Sequence, residues 1–229
     1  MSNQNLTVEE QALLGATGKD HGGGGRYFTP GEHLVVVRDV KFFQSQEKKA
    51  RQTFLVEGRI VESKGGPINH GEIAPGVCGF LSNPPIAEPM DTGMPTTWMQ
   101  HKDLEVFESR VGNFCTTVKK THARVWAGMT AEQRTKGVAL FTAESPRQGP
   151  DTAAEIRTFF DSCESHPNTT QGMDLVHIYR HGLAKDLVLV ARCFTTLKKD
   201  KTKVIDDVVW DVLTEDRDTA ELQSRAAAL

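Results

Sequence analysis

The sequence predicts a mainly β fold with inserted helices, an α+β arrangement, and three observations carry that reading. First, β-branched and aromatic runs occupy residues 33–43, 53–62 and 76–81. Second, a long stretch with helical spacing follows at 102–126. Third, two more apolar runs, 187–196 and 204–212, flank the lysine-rich segment Lys198-Lys199-Asp200-Lys201-Thr202-Lys203. Val, Ile, Thr and aromatic side chains suit a pleated, half-buried surface. Apolar residues three, four and seven apart suit one face of a helix.

Residues 1–29 read as a flexible appendage. Thr7-Val8-Glu9-Glu10 begins a short helix to about Leu14 with a capping-box pattern, and Gly22 to Gly25 form a linker too costly in backbone entropy to order alone. His33 to Phe43 is the first strand. Gln44 to Gln52, with Lys48, Lys49 and Arg51, is a hairpin tip, and Thr53 to Glu62 is the second strand. Gly58 inside it marks a bulge or a tight bend. Gly76 to Leu81 is the third strand. Pro84, Pro85, Pro89 and Pro95 then make 83–97 irregular.

In the helix from Lys102 to Trp126, the residues Leu104, Phe107, Val111, Phe114, Val118 and Val125 form one apolar face. Thr130 to Lys136 adds a turn of helix, and Thr152 to Cys163 is a second amphipathic helix with Ile156, Phe159 and Phe160 inward. Met173 to Arg180 reads as a fourth strand. Leu187 to Thr196 and Val204 to Val212 follow as a hairpin. The order β-β-β-α-β-β is that of the OB barrel. The sequence therefore predicts an OB-fold-like barrel of five to six strands over 30–213, with a long helix between strands 3 and 4 and an acidic, alanine-rich tail over 214–229 that is mobile and has the makings of a short helix.

Charge sharpens the functional reading. The net charge is −3, but residues 206–229 hold seven acidic side chains against Arg217 and Arg225, a net of −5, which leaves +2 on residues 1–205. The four cysteines, Cys78, Cys115, Cys163 and Cys193, form no CxxC pair, so neither a zinc ribbon nor a dense disulfide framework is expected. The start of the chain has no basic-then-apolar signal pattern, and no apolar run approaches the roughly 18 residues of a membrane span, so a cytoplasmic location is expected.

Motifs that look catalytic fail on their chemistry. His21-Gly22-Gly23-Gly24 resembles a lipase oxyanion loop, yet no GxSxG elbow supplies a nucleophile. Gly15-Ala16-Thr17-Gly18-Lys19-Asp20 echoes a phosphate loop with short spacing and Asp20 where a hydroxyl belongs. Asp91-Thr92-Gly93 is a turn between Met90 and Met94-Pro95. His177, His181 and Cys193 converge only if two strands bring them together, and a half-buried histidine with a core thiol is the plainer account. No catalytic residue, metal or cofactor is assigned.

A binding surface remains. Single strands expose base faces and phosphates, which aromatic platforms and a basic groove can grip. The candidates for phosphate are Lys48, Lys49, Arg51, Arg59, Arg180, Arg192, Lys198, Lys199, Lys201 and Lys203, and those for stacking are Phe43, Tyr179 and Phe194. Arg59 and Arg192 stand mid-strand among apolar residues and so imply a wet face. The two hairpin tips are expected to border one trough.

The chain resembles the single-stranded DNA-binding proteins of tailed bacteriophages, an OB-fold family. The resemblance spans roughly residues 30–213. It rests on Gly31-Glu32-His33-Leu34-Val35-Val36-Val37, Thr53-Phe54-Leu55-Val56-Glu57-Gly58-Arg59-Ile60-Val61-Glu62-Ser63, Phe114-Cys115-Thr116-Thr117-Val118, Pro167-Asn168 to Gly172-Met173-Asp174-Leu175-Val176, and Val208-Val209-Trp210-Asp211-Val212. It implies a non-enzymatic, cofactor-free protein that coats single-stranded DNA, or RNA, in phage replication, recombination and repair in the host cytoplasm. It also implies replication or recombination partners for the acidic end, which departs from that class by closing Ala226-Ala227-Ala228-Leu229. Self-association stays open. The rival readings are a protein-assembly module on the same barrel and a metal-dependent nuclease.

Overall fold

A computed structural model describes residues 31–44, 51–64, 73–82, 112–170, 173–197, 204–214 and 217–228. The anticipated helix at 7–14, the glycine run, the proline-rich stretch 83–97, and Lys48, Lys49, Lys198, Lys199, Lys201 and Lys203 lie outside these residues.

Five strands are present: β1 (Gly31–Gln44), β2 (Arg51–Lys64), β3 (Ile73–Ser82), β4 (Val188–Leu197) and β5 (Val204–Val212). Between β3 and β4 come α1 (Gly112–Ala127), α2 (Ala131–Glu144), α3 (Thr152–Ser165) and α4 (Asp174–His181), and α5 (Thr219–Ala228) follows β5. The strands form one antiparallel sheet in the order β3-β2-β1-β4-β5. β1 is its hub. It pairs with β2 from Glu32↔Lys64 to Gln44↔Gln52, and with β4 only through its first half, Gly31↔Cys193 to Val36↔Val188.

The anticipated closed OB barrel does not form. The sheet is open, with β3 and β5 as its edges. These edges approach each other, but no ladder joins them among the described residues. At Trp210 of β5, the backbone N–H donates to Asn113 Oδ1 (2.7 Å), and the carbonyl accepts from Asn113 Nδ2 (3.0 Å) and Thr117 Oγ1 (3.1 Å). Side chains of α1 thus satisfy the groups that a neighbouring strand would have to pair.

The anticipated fourth strand, Met173 to Arg180, is the helix α4. Asp174, Leu175, Ile178 and His181 recur at helical spacing and are all buried. Gly182, at φ 64°, ends the helix in the left-handed conformation that glycine tolerates best. The single turn anticipated at 130–136 extends into α2, whose N-cap Thr130 forms a capping box with Gln133. On α1, Val125 is 58% exposed rather than inward, and His122 and Trp126 take the inner face.

Alternate residues of β1 face opposite layers. Val35 and Val37 join Ile60, Leu189, Trp210 and the helical residues Phe114, Val118, Phe159, Phe160 and Ile178 in the main core. Val36 faces the other way and packs with Val61, Val188 and the α5 residues Leu222 and Ala226. The C-terminal segment is therefore docked through α5 and is not a mobile tail. Two register shifts shape that docking. Arg38 is the extra residue between the pairs Val37↔Gly58 and Asp39↔Glu57, and Val61 is extra between Leu34↔Glu62 and Val35↔Ile60. A Cβ on Gly58 would lie 2.3 Å from Val35 Cγ1, so this bulge site requires glycine. No helix among the described residues is long and apolar enough to cross a membrane.

Candidate nucleic-acid interface

The ladders fix where the two basic hairpin connections leave the sheet. Gln44↔Gln52 is the last β1–β2 pair, so residues 45–50 join the strands past the C-terminal end of β1. β4 runs antiparallel to β1 and continues beyond Gly31↔Cys193 to Leu197↔Val204, so residues 198–203 join β4 to β5 past the N-terminal end of β1. The two ladders thus end toward opposite ends of β1, a strand of 14 residues. The barrel trough expected between them falls with the barrel, and the lysines themselves lie outside the described residues.

Three of the four arginines anticipated to meet phosphate, Arg59, Arg180 and Arg192, are engaged within the protein. Arg59, half-buried on β2, donates from Nη1 to the Ala226 carbonyl at 3.1 Å, and Arg38 donates from Nη2 to the same oxygen at 2.8 Å. Two cations therefore hold the C-terminal turn of α5, where the helix dipole favours positive charge. Arg225 of α5 in turn donates to the Val61 carbonyl and pairs with Glu62. The sequence reading missed Arg38, although a charge after Val35-Val36-Val37 is the sign that could have marked it.

Arg180 is on α4, not on a strand, and donates to Glu155 Oε1 at 2.5 Å. Burial pushes the Glu155 carboxyl up, but hydrogen bonds from Arg180 and His181 outweigh it and hold the group below the usual carboxylate range. Tyr179 packs at the margin of the main core with the Arg147 guanidinium 5.4 Å from its ring centroid. It is not on a sheet face with Arg192.

Arg192 does stand exposed on β4. Its Nε lies 3.3 Å from Glu32 Oε2 and its Nη2 3.2 Å from Asp211 Oδ2. It borders a small cavity of about 100 Å³ whose charged lining is Glu32, Glu62, Asp211, Lys64, Arg192 and Arg217. Three acids balance three bases there, so this groove has no net attraction for a polyanion. Phe43, Arg51 and Phe194 belong to β1, β2 and β4 by backbone position.

The helical layer holds polar groups that look chemically capable. Lys119, fully buried, donates to Asp174 Oδ2 (2.6 Å), the Thr169 carbonyl (2.7 Å) and Ser162 Oγ (2.8 Å). All three ammonium protons are used, which suits an anchor rather than a base. Burial pushes the Cys115 thiol up to about 12 and raises Cys163 further, so neither is a ready nucleophile. Ser145, His181 and Glu155 form a hydrogen-bonded chain like a catalytic triad. Ser145, however, is 6% exposed, and its hydroxyl is held by Arg147 in a helix-capping turn. His177 and His181 stand one turn apart, with ring centroids separated by 6.3 Å. His181 commits both ring nitrogens to Ser145 and Glu155, and Cys193 lies in the core on β4.

No family model, curated protein or solved structure matches this chain.

Proposed function

We propose that this protein binds single-stranded nucleic acid, DNA in the first place, without sequence preference and without catalysis. Contact is made by two lysine-rich hairpin connections, with the open sheet spanning the distance between them. A role in coating transient single strands during replication, recombination or repair follows from such binding.

One observation carries the reading. Lys48 and Lys49 fall in the connection between β1 and β2, and Lys198, Lys199, Lys201 and Lys203 in that between β4 and β5, so the sequence gathers six cations into two short segments that follow ladders ending at Gln44↔Gln52 and Leu197↔Val204. Arg59, Arg180 and Arg192 are held by internal acceptors, so in this reading phosphate neutralisation falls chiefly to the lysines, with Arg51 at the start of β2 beside Lys48 and Lys49 in sequence. A flexible polyanion suits this layout because it can bend to reach both groups of charge. Each phosphate neutralised on a single strand contributes about −0.7 to the slope of log affinity against log salt, so six lysines give about −4.

Fluorescence anisotropy of labelled oligo-dT, titrated at several salt concentrations and repeated with RNA and duplex, tests this. Binding at low salt with a slope near −4 supports the proposal. Absence of binding at low salt overturns it and favours a protein-assembly role.

A further inference from the structure

The end of α2 meets α4 through one hydroxyl that is asked for two hydrogen bonds. Ser145, the C-cap of α2, places Oγ 2.8 Å from the Arg147 carbonyl and 2.9 Å from His181 Nδ1, while the Arg147 N–H approaches the same oxygen at 3.3 Å. On the far side of the ring, His181 Nε2 lies 2.7 Å from Glu155 Oε2. An ionised carboxylate only accepts, so Nε2 carries a proton. The single hydroxyl proton of Ser145 can then serve Arg147 or a neutral Nδ1, but not both.

We propose that His181 is a proton-operated switch on the turn 145–149. With His181 neutral, the Ser145 hydroxyl donates to Nδ1 and releases the Arg147 carbonyl. With His181 protonated, Nδ1–H donates to Ser145 Oγ, and the hydroxyl turns to hold the Arg147 carbonyl. The turn does not unravel in either state, because Thr152 Oγ1 also donates to the Arg147 carbonyl (3.3 Å) and accepts from the Gly149 N–H (2.8 Å). What changes is the grip on a segment that carries Arg147 over Tyr179.

The groups around His181 set where it switches. Glu155 of α3 favours the proton. Burial, Arg180 on α4 and Arg147 in the turn oppose it, burial most strongly, so His181 takes its proton below the usual histidine range. His177, one turn earlier on α4, is likewise held down by burial, with Glu155 and Asp174 pulling its proton on and His181 and Arg180 pushing it off. The His177 Nδ1 is buried with no hydrogen-bond partner. The imidazolium at His181, by contrast, finds an acceptor on each side.

Long-range ¹H–¹⁵N correlation on histidine-labelled full chain, from about pH 7.5 to about 4.5, reads the ring state of His181 directly. The backbone amide of Gln148 shares a peptide group with the Arg147 carbonyl and reports its hydrogen bonding. The expected result is that the Gln148 amide shift follows the His181 titration curve. In Ser145→Ala, His181 still titrates and Gln148 no longer follows, and Ser145→Thr restores the coupling. Three results would overturn the switch: a Gln148 amide indifferent to the wild-type titration, one that follows it unchanged in Ser145→Ala, or a His181 that stays neutral until the chain unfolds.

Discussion

The side-chain amide of Asn113 grips both backbone groups of Trp210, accepting from its N–H at 2.7 Å and donating to its carbonyl at 3.0 Å. This contact ties the first turn of α1 to β5, beside the edge-on pair of Phe114 and Trp210 with ring centroids 5.4 Å apart. Asn113→Ala removes the acceptor from the Trp210 N–H, while the Thr117 hydroxyl, whose one proton is shared between the Asn113 carbonyl at 2.9 Å and the Trp210 carbonyl at 3.1 Å, can turn to serve the latter. Urea unfolding is expected to show a loss of about 1–3 kcal/mol. Thr117→Val alone costs less. The double variant costs more than the sum, because only then does the carbonyl lose both donors. Simple additivity would show that the two side chains do not share this load.

Lys119 and Asp174 give a second test. Replacing Lys119 with Met leaves the Asp174 carboxylate buried opposite an apolar chain, and stability should fall by about 3–5 kcal/mol. Asp174→Asn strands the ammonium and should cost a similar amount. Lys119→Met combined with Asp174→Leu removes both charges and should recover much of either loss, as read by chemical denaturation. A double variant as unstable as the summed singles would mean that the hydrogen bonds to Ser162 and Thr169 matter more than the ion pair.

What the sequence disclosed follows from how local each signal is. β1, β2, β4 and β5 are legible because their β-branched runs are long and each faces a buried layer. Gly58 is legible as a bulge because a glycine amid Val56, Ile60 and Val61 has no packing reason to be there. α4 is not, because in eight residues Leu175, Val176, Ile178 and Tyr179 are too few to distinguish the two periods, and only Gly182 after His181 decides for a helix. The docking of α5 depends on Val36 and Val61, more than 150 residues earlier in the chain, and an alanine-rich acidic segment carries no local sign of it. The open sheet depends on Asn113 meeting Trp210, a tertiary contact. The basic connections are legible as charge clusters. The partners that occupy Arg59, Arg180 and Arg192 are not, since Ala226, Glu155, Glu32 and Asp211 are adjacent only after folding.

His122 makes stability depend on pH. Its Nε2 donates to the Leu183 carbonyl at 2.6 Å, and Phe141, Phe159 and Phe160 surround the ring edge-on. Burial, partly offset by the Leu183 carbonyl, pulls its pKa down to about 4 from an unfolded value of 6.5. The unfolded chain therefore takes a proton first. The stabilisation from neutral His122 is complete above pH 6.5 and is lost as pH falls toward 4, a swing of about 3 kcal/mol. His177 and His181 are shifted in the same direction and add to the slope. His122→Gln keeps a donor and cannot titrate. Its stability profile should be flatter by about that amount, measured by urea midpoints across the window, and an unchanged slope would remove His122 as the cause.

Arg192 separates an exposed charge from an available one. Glu32 and Asp211 flank its guanidinium at 3.3 and 3.2 Å, and the three side chains are each more than a third exposed, so the pairs contribute only about 0–1 kcal/mol to folding. Their effect is to cancel its charge where a phosphate would approach. Arg192→Ala should leave oligo-dT affinity within about twofold. Replacing Lys198, Lys199, Lys201 and Lys203 together should flatten the salt slope by about 3, at roughly 0.7 for each lost phosphate contact. Glu32→Gln with Asp211→Asn releases the guanidinium and should tighten binding at low salt, provided Arg192 is still present. An Arg192→Ala variant that binds as poorly as the lysine variant would move the interface from the hairpin connections onto the sheet itself, and the acids beside Arg192 would then act as gatekeepers of that face.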